Sequence, residues 1–122
     1  MKADMYSENI LDHYKNPRNF GSIKKPDVKH KEFNHLCGDE IEVYLKFEKQ
    51  KIKEIKFIAK GCAISVAAAS MLSEIVKGKS ITEIKRFSEK DMIKALGVKL
   101  SPARLKCGLL AWKSLQETLS KK

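Results

Sequence analysis

The chain has 122 residues, 43% of them hydrophobic and 33% charged, proportions that exclude disordered, collagen-like and low-complexity chains. No apolar run approaches the ~18 residues of a membrane span, and the start, MKADMYSENILDHY, lacks the apolar core of a secretory signal, so a cytoplasmic protein with no membrane partner is expected. The net charge of +10 would suit a nucleic-acid binder, but 22 of the 25 basic residues are lysines spread along the chain. Only Arg18, Arg86 and Arg104 supply the bidentate group that reads bases and phosphates, so a solvated basic surface is favoured over a nucleic-acid partner.

Residues 6–15 place Tyr6, Ile10, Leu11 and Tyr14 on one helical face before Asn16-Pro17 ends the helix. Residues 18–39 read as loop, with one short strand near 28–33. From 40 to 48, Ile41, Val43, Leu45 and Phe47 alternate with polar residues, the pattern of a half-buried strand. A second strand over 52–60 turns Ile55, Phe57 and Ala59 to one side, and Lys49-Gln50-Lys51 is left as the connection of a hairpin.

Matching the apolar faces pairs Ile41 with Ala59, Val43 with Phe57 and Leu45 with Ile55. Extended beyond the strands, that register sets Asp39 opposite Gly61 and brings Cys37 close to Cys62. Residues 64–77 have helical spacing and end at Gly78, a good C′ residue. Short helices are expected over Ile81–Arg86 and Glu89–Leu96, with Gly97 ending the latter. Ser101-Pro102 caps a last helix over 102–119 with a core stripe of Leu105, Leu109, Trp112, Leu115 and Leu119. Cys107 lies about 140° from the centre of that stripe, which argues against its being a core filler. The expected architecture is α+β: one domain spanning 1–122, with a three-stranded antiparallel sheet and helices packed on one face.

Three cysteines cannot all pair, and a cytosolic compartment keeps thiols reduced, so no disulfide framework is expected. The candidate site is Cys37, Asp39, Cys62 and Cys107, in the strings HLCGDE, AKGCAIS and SPARLKCG. Three thiolates and a carboxylate satisfy tetrahedral zinc and equally a cluster with one non-thiolate corner. Sulfur softness favours either over magnesium or calcium. Cys62 is placed at a helix N-terminus, where backbone N–H groups favour a thiolate, and Arg104 and Lys106 would do the same for Cys107. Lys106 is therefore a candidate tuning residue. His35 is read as a solvated loop histidine, His13 as packed or capping near Tyr14, and His30 has no identifiable partner.

These motifs, in this order, resemble the U-type iron-sulfur cluster scaffold proteins: IscU, SufU and the N-terminal domain of NifU. YSENILDHYKNPRNFGS is similar to the family's opening helix and loop, CGD at 37–39 to its first ligand motif, GCAIS at 61–65 to its second, and the cysteine after PARLK to its third. The resemblance implies that Cys37, Cys62 and Cys107, with Asp39 nearby, hold a transient [2Fe-2S] cluster. It further implies that a cysteine desulfurase delivers persulfide sulfur to these cysteines and that apo iron-sulfur proteins receive the product.

Two departures refine it. Leu100-Ser101-Pro102-Ala103-Arg104 and Lys106 stand where IscU-type members carry a chaperone-recognition element and a histidine, so neither is implied here. SPARLKCGLLAWKSL resembles SufU, yet the 44 residues between Cys62 and Cys107 leave no room for the SufU insertion.

The resulting expectation is a scaffold or carrier rather than an enzyme, monomeric or weakly self-associating. The alternative is a zinc-dependent sulfur acceptor of SufU type, an enzyme-class sulfurtransferase working with the same desulfurase. A basic nucleic-acid module with structural zinc is a third and weaker reading.

Overall fold

The computed structural model describes residues 8–34 and 38–121. In chain order the elements are α1 (Glu8–Lys15), β1 (Val28–Asn34), β2 (Asp39–Glu48), β3 (Lys51–Lys60), α2 (Ala63–Val76), α3 (Ile81–Arg86), α4 (Glu89–Leu96) and α5 (Pro102–Ser120). The three strands form one antiparallel sheet in the order β1-β2-β3. Helix α5 lies across β1 and β2, α2 lies beside α5 and against β3, and α1 packs on α2. This is the expected α+β architecture.

The β2–β3 register is the one that the apolar faces dictate: Ile41↔Ala59, Val43↔Phe57 and Leu45↔Ile55. All six of these side chains are buried. Toward the turn the register slips between Lys46 and Phe47, so that Phe47 faces Ile52 and Lys53 has no opposite number. That bulge shortens the expected three-residue connection to two residues, Lys49 and Gln50, both at positive φ (52° and 66°), as a type I′ hairpin turn requires. The outer edge of β3 is covered by the loop after α1, where the Gly21 N–H donates to the Phe57 carbonyl and the Phe57 N–H to the Asn19 carbonyl. At Phe57 the edge is therefore occupied by the chain's own backbone.

The helix ends follow their sequence signals. Ser80 and Ser88 each form a capping box, with Glu83 and Asp91. Gly97 ends α4 in the left-handed region, and Ser101 caps α5 ahead of Pro102.

The buried face of α5 corrects the expected stripe. Leu105, Leu109 and Trp112 are only half-buried, whereas Cys107, Leu110, Ala111, Ser114, Leu115, Thr118 and Leu119 are buried. Small residues let α5 approach its neighbours closely. A Cβ on Gly108 would stand 2.8 Å from Leu96 Cδ1 and 3.1 Å from Leu100 Cδ1. The polar members are bonded to backbone: Thr118 donates to the Ser114 carbonyl of its own helix (2.6 Å) and Ser114 to the Ile41 carbonyl of β2 (3.4 Å). Cys107, at 2% exposure, therefore belongs to the core, and its distance from a stripe of large side chains was no measure of its burial.

His30 does have a partner. Its Nε2 lies 2.8 Å from Glu32 Oε1, two residues along the same strand face. His13 is buried against α2, with Nδ1 2.7 Å from Ser70 Oγ. Trp112 is half-buried and donates its indole N–H to the Phe87 carbonyl at 2.8 Å. His35 and Tyr6 lie outside the described residues.

Candidate metal centre

Asp39 opens β2 opposite Asn34 of β1, and the end of β3 returns the chain to the same end of the sheet. Gly61, at φ +151°, makes the turn from β3 into α2. This is backbone that a side chain rarely adopts, and a Cβ there would collide with the Asp39 carboxylate. Cys62 follows as the N-cap of α2, without a side-chain cap of its own. Asp39 supplies the cap from outside the helix, its Oδ1 accepting the Cys62 N–H at 3.2 Å. The negative carboxylate thus sits where the helix dipole is positive.

Helix α5 brings in the third group. The acceptor oxygens of Asp39 and the sulfurs of Cys62 and Cys107 include one ligand atom from each residue, all within 4.8 Å of one another. Asp39 and Cys107 are each 2% exposed, while Cys62 is half-buried. The Cys62 thiol lies 3.6 Å from Asp39 Oδ2.

Three of the four residues expected at the site are therefore brought together. Cys37 lies outside the described residues. Lys106 is exposed and lines a groove of about 420 Å³ with Phe33, Leu109 and Trp112, whereas the adjacent Cys107 faces the core.

One residue of the site was not singled out by the sequence reading. Ser65, fully buried on the first turn of α2, donates its hydroxyl to Asp39 Oδ2, lies 3.7 Å from Cys62 Sγ, and reaches the Cys107 carbonyl at 3.4 Å. Its signal was its position three residues after Cys62, at the N3 place where a polar side chain commonly serves the helix end.

The chemistry of this donor set is specific. Two sulfurs and a carboxylate, with Cys37 two residues from Asp39 in the chain, suit a thiophilic ion of tetrahedral habit, zinc or the iron of a cluster, and not magnesium or calcium.

A family model described as the NifU-like N terminal domain matches residues 5–121. The chain belongs to this family. Among its relatives, the iron-sulfur cluster assembly scaffold protein IscU 1 of Archaeoglobus fulgidus is 36% identical over 115 aligned positions, covering 94% of this chain and 74% of that protein. The zinc-dependent sulfurtransferase SufU of Bacillus subtilis is 37% identical, covering 96% of this chain and 90% of that protein. Its alignment runs over 134 positions against the 122 residues here, so SufU carries residues that this NifU-like chain lacks.

A solved structure from Fervidobacterium islandicum AW-1, described as an iron-sulfur cluster assembly scaffold protein for the SUF system, superposes with a TM-score of 0.84 at 34% identity. It covers 94% of this chain and 96% of its own. A NifU-like protein from Brucella abortus shares the fold at TM-score 0.79 and 22% identity, covering 96% and 93% of the two chains. No helix among the described residues is long and apolar enough to cross a membrane.

Proposed function

We propose that this NifU-like domain, acting as one unit over 1–122, is a scaffold that builds a [2Fe-2S] cluster from iron and desulfurase-derived persulfide sulfur, with an external electron donor reducing that sulfur to sulfide, and passes it to apo-proteins. The observation that carries this reading is the convergence of Asp39, Cys62 and Cys107 within 4.8 Å at the end of the sheet from which the chain leads back to Cys37. A site with an oxygen donor beside its sulfurs holds iron less firmly than four cysteines would, so a cluster can be made there and also released. Zinc suits the same four residues in the cluster-free form.

Sulfur arrives by exchange. A cysteine thiolate of this chain attacks the outer sulfur of the desulfurase persulfide, forming a new S–S bond, and the desulfurase cysteine leaves as its thiolate. The receiving thiol must be reachable, and Cys62 is half-exposed where Cys107 is buried.

A second reading is supported by the SufU relative, a zinc-dependent sulfurtransferase: the same cysteines would accept and relay persulfide around zinc without building a cluster. Anaerobic reconstitution with iron, cysteine and a cysteine desulfurase separates the two. Visible charge-transfer bands with stoichiometric iron are expected of the scaffold, and colourless protein with retained zinc would favour the relay. Serine at Cys37, Cys62 or Cys107 should each lower metal retention strongly, because each supplies one thiolate of the proposed ligand set. Undiminished binding in any one of the three would remove that cysteine from the ligand set.

A further inference from the structure

We propose that Ser65 is a positioning residue whose hydroxyl competes with a bound metal for the Asp39 carboxylate and so keeps that carboxylate a weak, releasable ligand. The inference rests on the reading of Asp39, Cys62 and Cys107 as metal ligands.

Ser65 is 0% exposed and carries a single hydroxyl proton between two acceptors, Asp39 Oδ2 and the Cys107 carbonyl oxygen at 3.4 Å, with Cys62 Sγ 3.7 Å from its oxygen. It is not consumed by helix capping, since Asp39 rather than a side chain of the helix takes the Cys62 N–H. In the arrangement observed, the proton goes to Asp39 Oδ2, the same oxygen that faces the Cys62 thiol at 3.6 Å.

A carboxylate oxygen that accepts a charge-assisted hydrogen bond has less electron density to give a metal, and a metal binding there must weaken that bond or displace it. A displaced proton is not stranded, because the Cys107 carbonyl lies within reach of the same hydroxyl. The hydroxyl therefore has one position that holds Asp39 when no metal is bound and another that releases it to the metal. Gly61 completes the device by leaving the carboxylate room that any Cβ would take.

This role makes a prediction opposite in sign to plain structural support. Ser65→Ala should lower the melting temperature of the metal-free protein, because a buried carboxylate loses a donor. The same change should tighten zinc binding about tenfold, the worth of one charge-assisted hydrogen bond. A merely structural serine would weaken both.

The experiment measures zinc affinity of the full chain by competition with a chromophoric chelator. The ligand-field bands of the cobalt(II) form report the donor set, and melting of the metal-free protein reports stability. Zinc release to the chelator should slow in Ser65→Ala and return to the wild-type rate in Ser65→Thr, which keeps the hydroxyl. In an Asp39→Ala background, Ser65→Ala should add no tightening.

If Ser65→Ala does not fold, Ser65→Thr and Ser65→Val, alike in shape and differing in the hydroxyl, make the same comparison, with valine expected to bind more tightly. Equal or weaker binding in the folded hydroxyl-free variant, while Asp39→Ala still alters affinity and the cobalt spectrum, overturns the proposal and leaves the site standing. An Asp39→Ala variant unchanged in both respects overturns the site and this proposal together.

Discussion

His13 shows how one buried side chain ties stability to pH. Its Nδ1 lies 2.7 Å from Ser70 Oγ, which also accepts the Arg18 N–H at 2.9 Å. Burial pushes its pKa below the usual 6.5 and the Arg18 charge pushes the same way, against Glu74 and Asp12. The unfolded chain therefore takes up the proton first, and stability is lost as pH falls below about 6.5 and on through the depressed folded value. His13→Asn, which keeps a hydrogen-bonding group near the Nδ1 position, should flatten the fall in melting temperature between pH 7 and 5. An unchanged slope would assign that dependence to other groups. Single residues also mark the limit of what the sequence shows. Asp39, Cys62 and Cys107 were legible because their types have few other uses in such strings. Ser65 was not, because a serine in an apolar helix declares its role only when β2 and α5 are folded against it.

At the scale of elements, the strands and helices were legible because periodicity and capping agree over each segment. The β2–β3 register followed from one requirement, that the buried faces coincide. Two features escaped for reasons of size. The α5 face is built of Cys107, Ala111, Ser114 and Thr118, and a search for large apolar side chains finds the flank of such a helix instead of its centre. The bulge at Lys53 is a single unpaired residue, which no alternation pattern announces. It has a measurable consequence, because it forces Lys49 and Gln50 into positive φ, where residues with a Cβ are strained. Replacing Lys49-Gln50 by Asn-Gly should stabilise the protein by about 1 kcal/mol. The backbone carbonyl at position 50, which accepts the Ile81 N–H at 2.9 Å, is kept. Thermal melting of the double variant beside wild type tests this, and an unchanged or lower melting temperature would show that the turn carries no such strain.

For the whole molecule the net charge of +10 bears on encounter rather than on fold. We expect the desulfurase to approach the end of the molecule bearing the Gly61-Cys62 turn and the start of α5, since sulfur crosses only between thiols brought to bonding distance. Arg104 lies in the first turn of α5 and Lys106 is exposed in the next, so both charges belong to the segment that leads to Cys107. Steering by exposed charges is screened over ~8 Å at physiological salt, so loading of persulfide from a cysteine desulfurase should slow as salt rises. Arg104→Glu combined with Lys106→Glu should slow it further at low salt. The folding cost of the pair is expected to be small, for a reason local to the helix. Ser101 is the N-cap and position 104 is N3, so glutamate there completes a capping box and places a negative charge at the positive end of the dipole. Melting temperature should therefore hold or rise while the loading rate falls, and that opposition separates an encounter defect from a damaged fold. A folded double variant that loads at the wild-type rate, with no dependence on salt in either protein, would leave shape alone to bring the two thiols together.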